Sequence, residues 1–183
     1  MNLKEKMRLG ETYCDLEPEL LKEREAAKKL TRLYNLTTNA DKESRDNILD
    51  ELFESRGKNT IIEPNFRVEY GFNINIGDNF FANYDAIILD CTKVTIGDDV
   101  LFGPRVGIYT ANHVTDPEVR AKGDAYALPI TIGNKVWLGA NVIVNPGVTI
   151  GENSIIGSGS VVTQDIPSNV VAVGNPCKVI KKI

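Results

Sequence analysis

At 183 residues the chain is long enough for one substantial core, or for a solenoid with a small appendage, and too short for two large domains. Its 21 basic and 25 acidic residues give a formal net charge of −4, and no Lys/Arg-rich run carries interleaved aromatics, which argues against a general affinity for nucleic acid or anionic membranes. The N-terminal MNLKEKMRLGETY lacks the apolar core of a signal peptide, and no run of roughly 18 apolar residues could cross a bilayer. The expectation is a soluble cytoplasmic protein.

Residues 1–57 are rich in Glu, Lys, Arg and Leu and poor in Gly and β-branched residues, and predict a helical segment. A first helix starts at Pro18, which suits an opening turn, and runs to Asn35 with Leu20, Leu21, Ala27, Leu30, Leu33 and Tyr34 as its apolar stripe. A second follows Thr38–Asp41, read as a capping box, with Ile48, Leu49, Leu52 and Phe53 inward and Gly57 as the stop. Helices this short need a partner surface.

From Pro64 a rhythm of six takes over. Pro64, Tyr70, Ile76, Ala82 and Ile88 form one register, with Val68, Ile74, Phe80, Ala86 and Thr92 four places after each, and two extra residues precede Ile96, Phe102 and Ile108. The rhythm is strictest in Ile132, Leu138, Val144, Ile150, Ile156 and Val162. A period of six is neither helix nor ordinary strand; it marks a β-solenoid of triangular coils, each flat face sending an aliphatic side chain to the axis. Corners then need small residues or ones that tolerate turn conformations, hence the recurring Gly and Asn. Ile-Gly recurs at Ile76, Ile96, Ile132 and Ile150, and the interval of 36 between the second and third reads as two coils. The rhythm lapses over 113–129 and resumes in phase, as for a loop inserted into an intact solenoid, and such loops are where function tends to sit. After Pro167 it fades into a closing strand and tail.

The only histidine, His113, opens that loop. An imidazole exchanges protons near neutral pH and suits a general base. Cys14, Cys91 and Cys177 form neither a Cys-x-x-Cys pair nor an even set, and one histidine leaves a zinc site little to be built from, so no metal is expected and a zinc-dependent carbonic anhydrase on such a solenoid is excluded.

The run IYTANHVTDPEVR, followed by PITIGNKVWLGANVIVNPGVTIG, with ETYCDLEPELLKER before and VVAVGNPCKVIKKI after, resembles the maltose and galactoside O-acetyltransferase family, and the likeness covers essentially the whole chain. His-x-x-Asp-Pro after Tyr-Thr-Ala looks more like the maltose/glucose branch. The resemblance implies a mainly β fold, a left-handed parallel β-helix of hexapeptide repeats over 58–183, with the helical segment 1–57 walling an acceptor site. It implies an acetyl-CoA dependent O-acetyltransferase, a homotrimer with sites between solenoids, and direct attack by a sugar hydroxyl in a ternary complex. His113 would be the base. Ala140 would offer its backbone amide to the developing oxyanion, and Asn83 would contact the acceptor, although an Asn at a corner also has a conformational explanation. Asp15 and Glu69 would bind the acceptor, Asp15 being open to a role as helix cap. Ala140, Ser158, Thr163, Lys178 and Lys181 would line the coenzyme groove, with Trp137 flanking it or packing between subunits. Cys91 departs from an aspartate of the galactoside branch, with Asp90 beside it as the one candidate to compensate, and Lys178 and Lys181 stand where the family often has arginine. A xenobiotic O-acetyltransferase and a non-catalytic structural trimer are the alternatives.

Overall fold

The computed structural model describes residues 2–183. Three helices come first, α1 (Leu3–Arg8), α2 (Pro18–Asn35) and α3 (Lys42–Leu52). The first was not anticipated, although its signal is readable: Asn2 and Glu5 form a reciprocal capping box, each side chain accepting the other's backbone N–H at 2.8 Å. The segment Thr38–Asp41 does not cap α3 in this way. Asp41 is the N-cap without a side-chain bond to the helix, and its carboxylate turns back to accept from the Thr38 amide and hydroxyl.

On α2 the buried face is Leu20, Ala27, Thr31 and Tyr34, with Leu30 half-buried, whereas Leu21 and Leu33 are 44% and 45% exposed. The seam therefore steps 20, 24, 27, 31, 34, and its second position is Arg24, a residue whose charge hides it from a reading by hydropathy. The helix is latched to the first coil at its end. Tyr34 donates to the Ile62 carbonyl at 2.8 Å, and the Asn35 amide both donates to and accepts from the Phe66 backbone at 2.9 Å. Helix α3 buries Leu49, Leu52 and Phe53 as expected, but it ends at Leu52, and Gly57 already belongs to the solenoid, whose first strand is Ser55–Arg56.

The solenoid is a parallel β-helix of about six turns. One face stacks Ser55–Arg56, Ile74–Ile76, Val94–Ile96, Ile130–Ile132 and Thr149–Ile150. A second stacks Ile61–Ile62, Phe81–Ala82, Leu101–Phe102, Trp137–Leu138, Ile155–Ile156 and Val170–Val173, and closes with the antiparallel strand Lys178–Lys182. The third stacks Arg67–Val68, Ile87–Leu89, Gly107–Tyr109, Ile143–Val144 and Val161–Val162. Each strand buries its alternate residues, so Ile132, Leu138, Val144, Ile150, Ile156 and Val162 all lie on the axis.

Two details of the sequence register change. Pro64 and Tyr70 are not axial; the first coil runs Ile62 and Val68, and a two-residue expansion at 69–73, matched by another at 89–93, shifts the phase. Tyr70 is buried instead in a second cluster with Met7, Tyr13, Leu20 and Cys91 beneath the N-terminal segment. Ile132 stacks directly on Ile96, so the interval of 36 is one coil plus an excursion, not two coils. The excursion leaves and returns at one point, where the Leu128 amide donates to the Thr110 carbonyl at 2.9 Å, and its length is free of the period of six. It is an ordered hairpin. Ala111–His113 pairs with Asp124–Ala127, which pairs in turn with Tyr13–Cys14, and helix α4 (Pro117–Arg120), capped by Asp116, forms the tip.

The corners are set by left-handed backbone. Asn59, Asn79, Asp99, Lys135, Asn153 and Asn169 have φ of 57–60° along one edge, and Asp85, Arg105 and Asn141 follow suit along another. Asn and Asp tolerate this conformation and stack as a ladder, the Asn59, Asn79 and Asp99 side chains bonding in turn at 2.9 and 2.8 Å.

The revised α2 seam is testable by urea unfolding: Leu20→Ala should cost about 2–5 kcal/mol, and Leu21→Ala less than about 1 kcal/mol. Equal losses would contradict the assignment.

Candidate active site

The three edges of the prism carry different chemistry. The edge between the third and first faces passes through 69–73, 89–93 and the inserted hairpin, and the N-terminal segment lies against it. The Asp15 amide donates to the Gly123 carbonyl at 2.8 Å, which ties the segment to the hairpin base. Arg24 reaches this edge from α2 with its side chain only 12% exposed, and forms ion pairs with both Asp15 and Glu69 while donating to the Asp15 carbonyl at 2.9 Å. Its guanidinium lies 5.3 Å from the Tyr70 ring centroid, and Tyr70 in turn packs on Phe72 at 5.3 Å. Burial works against the Arg24 charge, yet Tyr70, Asp15 and Glu69 outweigh it and raise its basicity. Asp15 and Glu69, expected to act together, are thus joined by a residue that sequence reading missed.

His113 stands on the same edge. It pairs with Ala125, which pairs on its other side with Tyr13, so one row of the hairpin sheet runs Tyr13, Ala125, His113. Two strand spacings separate His113 from Tyr13, about 10 Å. The histidine is exposed. Beneath this edge lies a buried apolar cluster that includes Met7, Tyr13, Tyr70 and Cys91. Burial pushes the Cys91 thiol up to about 12, with Glu69 adding to the effect, so it stays protonated and is no nucleophile. The Tyr70 hydroxyl is buried without a hydrogen-bond partner, and the buried Tyr13 hydroxyl lies against the Cys91 thiol.

Asp90 does not compensate for Cys91. It is fully buried inside the coil, where its carboxylate accepts from the Glu69 and Tyr70 amides at 3.1 and 2.8 Å. Burial raises its carboxyl to about 7 against the pull of those amides.

The remaining expected residues lie elsewhere. Asn83 sits on the edge between the second and third faces, its amide bonded to the Phe102 carbonyl at 3.0 Å and its side chain accepting from Tyr84 at 2.8 Å. Ala140 and Ser158 continue the same edge upward. Here the coils approach closely: a Cβ on Gly139 would come 2.7 Å from the Ser158 amide. The Ala140 amide, the expected oxyanion donor, bonds to Ser158 Oγ at 3.1 Å. Trp137 is exposed on the second face beside this edge, and Lys178 and Lys181 are exposed on the closing strand of that face. Thr163 is again on the other edge, one strand beyond Ser158. Within one chain, the third face separates Asn83 and Ala140 from His113, a span of about five extended residues or roughly 15 Å.

Small residues at a close corner, an exposed aromatic and exposed lysines are compatible with a coenzyme A arm laid along that edge. Among the described residues no group of three or more His, Cys, Asp or Glu could hold a metal ion, and no helix is long and apolar enough to cross a membrane.

Comparison with known proteins fits this geometry. Residues 129–164 match the family model described as bacterial transferase hexapeptide (six repeats), and residues 6–57 match the maltose acetyltransferase hexapeptide capping motif. The chain is 45% identical to the galactoside O-acetyltransferase of Escherichia coli K12, over 100% of this chain and 90% of that protein. The crystal structure of a maltose O-acetyltransferase from Clostridium difficile 630 superposes with a TM-score of 0.97 at 55% identity, covering 100% of this chain and 98% of that one. A galactoside acetyltransferase in complex with coenzyme A gives 0.94 at 45% identity, covering 100% and 92%. With these matches, and with the capping helices and the coils each in place, the chain belongs to the maltose and galactoside O-acetyltransferase family of acetyl-CoA dependent hexapeptide-repeat enzymes.

Proposed function

We propose that the protein transfers acetyl from acetyl-CoA to a hydroxyl of a sugar of the maltose or glucose type, in sites formed between copies of the chain in a homotrimer. The observation that carries this reading is the division of residues between two edges. His113, Asp15, Arg24 and Glu69 share one, and Asn83, Ala140 and Ser158 share another, so a site needing both sets takes them from two molecules. The outward residues support a partner. Ile61, Phe81, Leu101, Trp137, Ile155 and Val171 form one apolar column, whereas the first face presents Ser55, Asn75, Thr95, Thr131 and Thr149 to water.

In this reading the Asp15, Arg24 and Glu69 cluster hydrogen-bonds the hydroxyls of the acceptor, Tyr70 and Phe72 stack under its apolar face, and the Tyr70 hydroxyl gains a polar partner. A neutral polyol suits a pocket whose charges are already paired. Acetyl-CoA supplies an activated thioester when bound. Ser158, Thr163, Trp137, Lys178 and Lys181 hold the coenzyme, the lysines meeting its phosphates as point charges. His113 removes the proton of the attacking hydroxyl, which Asn83 of the neighbouring copy orients, and the Ala140 amide turns to the negative charge developing on the acetyl oxygen. As the C–O bond forms and the C–S bond breaks, His113 returns the proton to the departing sulfur, releasing the ester and free thiol.

The test is release of free thiol from acetyl-CoA with glucose, maltose and a galactoside as acceptors. His113→Ala should lower kcat by about 10²–10⁴-fold with coenzyme A binding retained; a full rate would remove the histidine from the chemistry. Arg24→Ala should raise the KM for glucose or maltose by about tenfold or more and leave coenzyme A binding unchanged. An effect on coenzyme A affinity alone would place Arg24 outside the acceptor site.

A further inference from the structure

Both expanded corners of the solenoid are held by a side chain from the coil above. At 89–92 it is Thr110, whose hydroxyl accepts from the Thr92 amide at 3.2 Å and donates to the Leu89 carbonyl at 2.7 Å. At 69–73 it is Asp90, and the carboxylate does more: Oδ1 accepts from the Glu69 and Tyr70 amides, Oδ2 accepts from the Asn73 amide at 3.3 Å, and the Gly71 amide also faces it. The Asn73 side chain returns a bond to the Asp90 carbonyl at 2.8 Å. The corner is confined from the other side as well. Gly71 has φ +86°, and a Cβ there would lie 2.4 Å from the Leu52 carbonyl oxygen at the end of α3. Apart from its own amide, the hydrogen-bond partners of this buried carboxylate are on the backbone of one short segment, and that segment presents Glu69 and Tyr70 to Arg24.

We propose that Asp90 is a positioning residue for the acceptor site: by gathering the amides of 69–73 it fixes where the Glu69 carboxylate and the Tyr70 ring stand, and so determines how tightly an acceptor is held. A hydroxyl offers one acceptor oxygen at one point, whereas the two carboxylate oxygens accept from amides spread over 69–73. The role concerns binding of the acceptor and not the coenzyme, whose residues Ala140 and Ser158 lie on a different edge. The inference rests on the acceptor reading of the pocket.

The test uses the full-length Asp90→Asn protein. Asparagine keeps the shape but turns an NH2 toward amide donors. The proposal expects faster hydrogen exchange confined to the amides of 69–73, a KM for glucose or maltose raised about tenfold or more, kcat changed by less than about threefold, and unchanged affinity for coenzyme A. Global loss of protection accompanied by weaker coenzyme A binding, or an unchanged acceptor KM, would overturn it. If D90N does not fold, Asn73→Ala removes one clamp on the same corner and should show the same pattern in smaller degree; no change in exchange at 69–73 or in acceptor KM overturns the proposal. Should the unaltered protein acetylate none of these sugars, the functional reading fails separately, and exchange at 69–73 against coenzyme A binding in D90N still decides whether Asp90 sets the corner.

Discussion

Parallel pairing of each coil on the next, residue over residue, constrains everything else in this molecule. Ile132 lies over Ile96, Leu138 over Phe102 and Val144 over Ile108, and the same registry carries the corners, so each edge of the prism is a column of equivalent positions. A coil cannot bury its inward residues alone, and stability is shared along the stack. An edge built this way is rigid and repetitive, and the Asp15, Arg24 and Glu69 cluster forms where corners depart from the repeat. Here the departures are the expansions at 69–73 and 89–93 and the hairpin above them, and all three fall on one edge.

That arrangement explains the helical segment. Helix α2 contributes Arg24 from the middle of its buried seam, and the cost of placing a guanidinium there is offset by two carboxylates and an aromatic face. The strand Tyr13–Cys14 joins the hairpin, and Met7 of α1 enters the same cluster. Solenoid, hairpin and helices meet at an ion-paired cluster above a buried apolar one. The opposite edge, with its close-packed Gly139 corner, has no such elaboration, and in the proposed reading the acceptor lies at the first edge and the coenzyme arm along the second.

Much of this was legible in the residues. Ile132 to Val162 revealed the solenoid because every coil there has the same length and the same kind of inward side chain. The phase of the first coil was read wrongly: Gly71, at φ +86°, marks a corner within 69–73, but its length is not fixed by the residues, and Pro64 and Tyr70 were assigned to the axis that Ile62 and Val68 occupy. The interval of 36 misled because a hairpin anchored at one point can have any length, a multiple of six included. Arg24 was passed over because a charged residue reads as a break in an apolar stripe, and only tertiary partners reveal it as a member. Asp90 likewise shows no local sign of being buried; its partners are backbone amides 17–21 positions earlier in the chain. Asp15 and Glu69 were each expected through family resemblance as acceptor contacts, and in the structure both form ion pairs with Arg24.

The central claim is that His113 and Asn83 act together only across two molecules. Subunit mixing tests it directly. Asn83→Ala and His113→Ala proteins, each depleted of activity, are unfolded together in equal amounts, refolded and assayed for thiol release from acetyl-CoA with glucose or maltose. In randomly mixed trimers about one site in four combines an intact His113 with a neighbour's intact Asn83, so the account predicts recovery of roughly a quarter of the unaltered activity. If both residues acted within one chain, no mixed trimer would contain an intact site, and activity remaining at the level of the separate variants would contradict it.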